Sequence, residues 1–398
     1  MYIIISMKIV FVSNCFNHHE RYLCDELYKH VGVEFYFIQT KPMAEERKKL
    51  GWSINLEEFP YCICSYKEEA KCNELISCCD VLIIGSAPFN IYKRRLKEHK
   101  PSFYYCESFF KRGFWHIFYP KTFFTILKTY IIPSRNQYVN MLCASAFTSL
   151  DCARIFSFKN RRYRWGHFIE VDRDRDVKQL MDNKKKKREA RGSTKILWVG
   201  RLVALKHPEM AVKVAYALKS QKIPFEMEII GTGALENTIS SQITSSGTSE
   251  EVKMLGAMPP TEVRKHMEDA DIFMFTSDHN EGWGAVLGES MSSGCAVVAA
   301  SAIGATPFLI QDKINGRIYS RTDYKHLEQI VLELATDHTL LYTLGLQAAQ
   351  MMQNEWSPFV AADRFCRVAQ SILYGKEIPK YSVGPMSKAP VITRNWFE

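Results

Sequence analysis

Residues 276–294 read Thr-Ser-Asp-His-Asn-Glu-Gly-Trp-Gly-Ala-Val-Leu-Gly-Glu-Ser-Met-Ser-Ser-Gly. The apolar run Ala270 to Phe275 leads into them, and Cys295 to Ala300 leads out. Between the runs lie a polar turn, two glycines around Trp283, and a short helical pattern that ends at Gly294. This order predicts strand, loop, helix, strand, the repeating unit of an open parallel sheet. Glu281 falls in the loop at the strand's carboxyl end. Glu289 falls about two turns into the helix, where the 3.6-residue period returns it toward the same side. Carboxyl ends of parallel strands are where open α/β sheets bind ligands. The plainer alternative is one carboxylate at a helix N-terminus and one solvated on the helix.

Outward from this unit the alternation continues. On the N-terminal side, Lys195 to Gly200 predicts a strand and 208–220 a helix, with Pro208 in its first turn and Val212, Ala215 and Leu218 inward. Strands follow at Glu226 to Gly231 and Val252 to Gly256, then a short helix from Thr261, a possible cap, to Asp269. On the C-terminal side come the turn Asn315-Gly316, helices at 324–335 and 338–352, and a last amphipathic helix from Trp356-Ser-Pro358 to Tyr374.

Four loops each follow a strand and should therefore gather at one sheet edge. In the first, Gly200 admits close backbone approach, and Arg201 and Lys206 place two cations just before a helix, a geometry suited to a diphosphate. The second is Gly231-Thr-Gly233, weak by itself, and the third Gly256-Ala-Met-Pro259. The fourth is the opening stretch, whose Gly282 and Gly284 bring backbone N–H groups and a helix N-terminus toward an anion or hydroxyl.

Together these residues resemble the family 4 retaining glycosyltransferases, which have the GT-B fold of two Rossmann-like doubly wound parallel-sheet domains facing across a cleft. The resemblance rests on Gly200-Arg201…Lys206, Gly231-x-Gly233 and Glu281-Gly-Trp-Gly…Glu289-Ser-Met-x-x-Gly294, with Gly304 and Asn315-Gly316 beyond, and covers about residues 195 to 375. It implies that Arg201 and Lys206 bind the pyrophosphate of a nucleotide sugar and stabilise the leaving group. It implies that Glu289 takes the ribose hydroxyls and Glu281 hydroxyls of the transferred sugar. Backbone around Trp283, Gly284 and Ala285 would line the sugar–phosphate site. In the favoured account the donor phosphate helps to take the acceptor proton, the anomeric configuration is kept, and neither metal nor cofactor is needed. Whether the donor is UDP- or GDP-linked is left open.

The first half reads as the acceptor side. Met7 to Ser13 predicts a buried parallel strand, 21–31 a helix, and further strands at Val33 to Ile38, Val81 to Gly85 and Ser102 to Cys106. Many relatives carry a glycine pair after the first strand. This chain has Asn14-Cys-Phe-Asn17-His18-His19 instead, so Asn17, His18 and His19 are candidate acceptor contacts, with turn and capping roles as the alternative. Glu107, after a later strand, is another candidate. Ser145, Lys159, Tyr163, Arg164, Trp165 and His167 are weaker ones. Residues 109–132 interleave aromatics with Lys111, Arg112, Lys121 and Lys128, a composition suited either to a bilayer interface or to a helix packed on its own domain.

At 398 residues two domains are expected. The expected plan is an acceptor-binding domain at 1–170, a linker at 171–194, a nucleotide-sugar domain at 195–375 and a tail at 376–398. The last helix, 357–374, is placed to pack back on the first domain. The linker reading rests on Asp172-Arg-Asp-Arg-Asp176 and Lys184-Lys-Lys-Lys-Arg188, charged runs with almost no large apolar groups. Residues 1–190 hold 32 Lys/Arg against 21 Asp/Glu, while 191–398 hold 20 against 22, so the first half should meet something anionic. No nucleic-acid motif accompanies that charge. No run reaches the roughly 18 to 20 apolar residues that span a bilayer. The start reads as a strand rather than a signal peptide, with Met7 a possible initiator and Met1 to Ser6 an extension. Among the 12 cysteines, Cys62, Cys64, Cys72, Cys78 and Cys79 cluster without the paired spacing of a zinc site, so reduced thiols are expected.

The expected activity is sugar transfer to a lipid-linked or oligosaccharide acceptor in surface polysaccharide or glycolipid synthesis. The expected location is the cytoplasm, peripheral at the membrane. The alternatives are a non-catalytic sugar-nucleotide-binding scaffold, or an epimerase or phosphorylase on the same fold.

Overall fold

A computed structural model describes residues 6–45, 54–111 and 113–397. The readings of Met1 to Ile5 as an extension and of Arg112 as an interleaved cation lie outside the described residues. The chain forms two units, one of Met1–Glu170 with Glu355–Thr393, the other of Val171–Asn354 with Arg394–Glu398.

The first unit is built on seven strands: β1 (Met7–Ser13), β2 (Val33–Gln39), β3 (Cys62–Cys64), β4 (Val81–Ile84), β5 (Ser102–Cys106), β6 (Val139–Cys143) and β7 (Arg162–Arg164). Their order is β3-β2-β1-β4-β5-β6-β7, all parallel. Every residue of β4 and β6 is buried, as helices on both faces of a sheet require. Those helices include α1 (His18–Lys29), α2 (Glu69–Cys78), α3 (Phe89–Tyr92), α4 (Pro120–Ile126) and α5 (Thr148–Arg154). The clustered cysteines belong to β3 and to the α2 region, and all are free. The last helix, Pro358–Leu373, packs on this unit, where Phe365 meets Phe103 edge-on at 4.9 Å between ring centroids.

Residues 386–389 depart from the loose-tail expectation. Arg164 N–H donates to Ser387 O at 2.7 Å, and Ala389 N–H to Arg162 O at 2.9 Å. The segment thereby satisfies the open edge of β7 and buries Met386, Ser387 and Ala389. Its Pro- and Lys-bearing composition gave no sign of this.

The second unit has six strands: β8 (Thr194–Val199), β9 (Phe225–Ile230), β10 (Val252–Gly256), β11 (Ile272–Phe275), β12 (Ala296–Ala300) and β13 (Arg317–Tyr319). Their order is β10-β9-β8-β11-β12-β13, again all parallel. Its helices are α6 (Val177–Arg191), α7 (Glu209–Ser220), α8 (Glu236–Ser245), α9 (Pro260–Asp269), α10 (Ala285–Ser292), α11 (Thr306–Leu309), α12 (Tyr324–Thr336) and α13 (His338–Asn354).

Helix α6 corrects the linker reading of 171–194. Asp176 caps it by accepting from Gln179 N–H at 2.9 Å, and Gly192 ends it in the left-handed region at φ 72°. Its inner face is cationic. The buried Lys184 ammonium donates to the carbonyls of Met267 and Ser293 at 3.0 and 3.1 Å. Arg188 and Arg191 reach the buried Asp271 at 3.1 and 2.6 Å. A lysine run whose buried members find carbonyls and a carboxylate carries no apolar period, so it reads like a solvated linker.

Candidate functional site

Strand order reverses between β8 and β11, so the loops leaving their carboxyl ends part to opposite faces and open a crevice there. Two of the four loops identified in the sequence are these.

The loop after β8 is held by its neighbour. Gly200 N–H donates to Ile230 O at 3.0 Å, and Leu202 N–H to Thr232 O at 2.9 Å. Gly231 has φ +136°, and a Cβ there would lie 1.9 Å from Gly200 O. A Cβ on Gly233 would lie 2.4 Å from Leu202 O. Both glycines therefore let the second loop press against the first. That packing role is direct, and it stands beside the donor-binding role that the resemblance implies for both.

The loop after β11 is pinned to the same place. Thr276 Oγ1 accepts from the Trp198 indole N–H at 2.9 Å and lies 2.6 Å from Lys206 O. Asp278 N–H donates to Leu205 O at 2.9 Å. Across this junction the Lys206 ammonium forms an ion pair with Glu281, each side chain 14% exposed. Lys206 Nζ also stands 5.5 Å from the centroid of the Phe275 ring. One ammonium carries three donors, so pairing with one carboxylate leaves capacity for a second anion. Arg201, in the same loop, is exposed.

Gly284 starts α10 at φ +86°, where a Cβ would lie 2.5 Å from the Phe275 ring. Trp283 is buried, 6.3 Å from the Phe308 ring centroid, and its carbonyl accepts from Ala305 N–H at 3.2 Å. Its side chain is core, so what Gly282, Trp283, Gly284 and Ala285 bring together here is backbone at the start of α10. Glu289 sits in the second turn of α10. Burial pushes its carboxyl above the ordinary range, and the Arg264 charge opposes that rise. Arg264, on α9, donates to Ser292 Oγ at 2.8 Å. Sequence reasoning missed Arg264 and Thr276, because neither sits in a pattern of its own. Thr276 stood inside the quoted stretch without a role.

In the first unit, Glu107, His18 and His19 come together around His167. Glu107 Oε1 lies 3.2 Å from His167 Nε2, and Lys111 Nζ lies 2.5 Å from Glu107 Oε2. Tyr105 Oη lies 2.7 Å from His167 Nδ1, and the His19 and His167 rings are 5.3 Å apart. Burial acts to raise the Glu107 carboxyl, but the hydrogen bond and charge of His167, with Lys111, bring it down to about 2. Burial, then the His167 charge, lowers His18. Asn17 takes a capping role. Its side-chain oxygen accepts from His19 N–H at 2.9 Å and caps α1. Of the weaker candidates, Trp165 and Ser145 are buried in the core, and only His167 joins the cluster.

Two Rossmann-like parallel-sheet domains in one chain define the GT-B fold. HepE of Anabaena, solved in complex with UDP, superposes with a TM-score of 0.66 at 16% identity, covering 92% of this chain and 100% of that one. Residues 181–351 match the family described as glycosyl transferases group 1. The amylovoran biosynthesis glycosyltransferase AmsK of Erwinia amylovora is 28% identical over 45% of each chain. A GDP-mannose-dependent phosphatidylinositol monomannoside mannosyltransferase of Mycolicibacterium smegmatis is 25% identical over 40% of this chain and 44% of its own. The chain thus spans less than half the length of these curated relatives. Among the described residues no helix is long and apolar enough to cross a membrane.

Proposed function

We propose that the protein is a retaining glycosyltransferase that moves a sugar from a nucleotide sugar to a lipid-linked or glycan acceptor, without a catalytic metal. The observation that carries this reading is the Lys206–Glu281 pair at the point where strand order reverses between β8 and β11. Cations suit a diphosphate and carboxylates suit hydroxyls, so one junction offers both halves of a sugar–phosphate linkage. Arg201 and Lys206 take the pyrophosphate and stabilise the negative leaving group, the term that dominates such chemistry. Glu281 holds hydroxyls of the transferred sugar, and Glu289 holds the ribose. Glu107, His18 and His19, with His167, form the acceptor side. Relatives that build polysaccharide and glycolipid support a surface-glycan acceptor, met at the cytoplasmic face of the membrane.

Thermal-shift screening against UDP- and GDP-sugars tests the donor site, because a ligand of the folded state raises its apparent stability. One class of donor should raise Tm in the wild type. Lys206→Ala should abolish the rise and lower kcat by about 10²- to 10³-fold. An anomeric NMR signal showing retention in the product tests the stereochemistry. Unchanged transfer by Lys206→Ala would falsify the assignment.

A further inference from the structure

We infer that the first unit carries a site for the phosphate headgroups of an anionic membrane surface, made of a cationic cleft and the aromatic stripe that runs into it. The inference deepens the reading of a membrane-side acceptor but rests on residues 89–138 alone, so it stands or falls apart from the donor site.

The cleft has a volume of about 600 Å³ and is lined by Lys93, Lys97, Lys128 and Arg135, with His99 and Tyr138 among the rest and no carboxylate. All four Lys and Arg side chains are exposed. The acid nearest in sequence, Glu98, is engaged by Arg95 at 3.2 Å. The His99 ring stacks on Tyr138 with centroids 5.5 Å apart, and Lys128 Nζ lies 5.8 Å from the Phe89 ring centroid. Cations are thus gathered over aromatic walls. Between residues 89 and 138 the sequence holds ten Lys/Arg against two Asp/Glu, and four of the ten line the cleft. Such a field favours a ligand bearing negative charge.

The second observation is apolar. Lys121, Phe124, Lys128 and Ile132 are all exposed and follow at steps of three and four residues, one stripe of the helical segment that begins with α4. Lys128 and Ile132 also line the cleft, so the stripe leads into it. Phe118 is 81% exposed and Phe124 63%. The opposite face of the segment is folded. Phe110 and Ile126 are buried against Ile155, and the Tyr130 ring stacks on Phe109 at 4.8 Å. Rings beside cations suit the headgroup layer, where the rings sit at the interface and the cations meet anionic lipid. A free phosphate would use the cleft and leave the rings in water, whereas a bilayer uses both.

The test is flotation of the full chain with phosphatidylcholine vesicles, with or without phosphatidylglycerol. The wild type should float with the anionic vesicles only, and less at about 1 M salt than at about 0.1 M. The combined change Lys97→Glu, Lys128→Glu, Arg135→Glu should lower partition by at least about 100-fold, taking about fivefold for each cation lost. Phe118→Ser with Phe124→Ser should lower it at both salt concentrations. Glutamine in place of the three glutamates gives a milder set, and an unaltered melting curve shows that each variant is folded. Equal binding to both vesicle types, or undiminished binding by the folded charge variants, overturns the proposal. Displacement from vesicles by millimolar inorganic phosphate at constant ionic strength also overturns it, assigning the cleft to free phosphate.

Discussion

Two carboxylates carry opposite electrostatic signatures, and each sets a prediction. Glu289 is held above the ordinary carboxyl range by burial. Its ionised form therefore weakens the folded state, a cost absent below the unfolded pKa and growing as pH rises through the folded one. Glu289→Gln should raise the Tm of the ligand-free protein at pH 7, a gain that vanishes below about pH 4. The same change should weaken donor binding by about 10- to 100-fold, the value of a hydrogen bond to a charged group. Calorimetry across pH, with and without nucleotide, reads both effects. Glu107 is the reverse case, brought down to about 2 by His167 and Lys111. Its stabilisation is present above the unfolded pKa and lost as pH falls through the folded one. Glu107→Gln should flatten the decline of Tm between about pH 4.5 and 2. A decline as steep as in the wild type would remove the ion pairs from the account. At this scale the sequence brought Glu281, Glu289, Lys206 and Glu107 forward as candidates, since all stand in strand-end loops or just beyond. It hid their partners. Arg264 meets Glu289 from another helix, and nothing in a linear pattern announces a neighbour 25 positions away.

At the scale of elements, helix α6 shows what binary patterning misses. Apolar periodicity identified α7 and α12 to within a residue or two, because their buried faces are Val, Leu, Ile, Met and Ala. The buried face of α6 contains Lys184 and Arg188 beside Val177 and Met181. Its anchor is Asp271, which is buried and binds both Arg188 and Arg191 and accepts from Lys195 N–H at 2.9 Å. Removing the charge from a buried pair strands its partner, at a cost of about 3–5 kcal/mol. Asp271→Asn should lose that much in urea denaturation and should expose α6 to proteolysis. A loss under about 1 kcal/mol would show that the arginines find water instead.

At the scale of the whole molecule, the two parallel sheets were legible in the strand–helix alternation, while the strand order, with the reversal that positions the site, came only from the structure. The weaker segments were those whose role depends on distant partners. Residues 386–389 satisfy β7, and a chain stopped at residue 383 should leave that edge open. It should associate with increasing concentration, as size-exclusion chromatography would show. A monomeric truncated chain with native Tm would refute this. The placement of the last helix also bears on how the protein is made. Residues 1–170 leave the ribosome first, yet Glu355–Thr393 belongs to the same unit and follows only after the whole of Val171–Asn354. At about 5–20 residues per second, that interval is about 10 to 40 s. During it the bulk of the intervening unit is being made, while Phe103 waits without Phe365 and β7 without its bordering segment. The half that is begun first therefore stays incomplete until nearly all of the other half has been made. Nascent chains of this protein therefore pass through a stage at which the amino-terminal sheet is made but still lacks the helix and the segment that cover it.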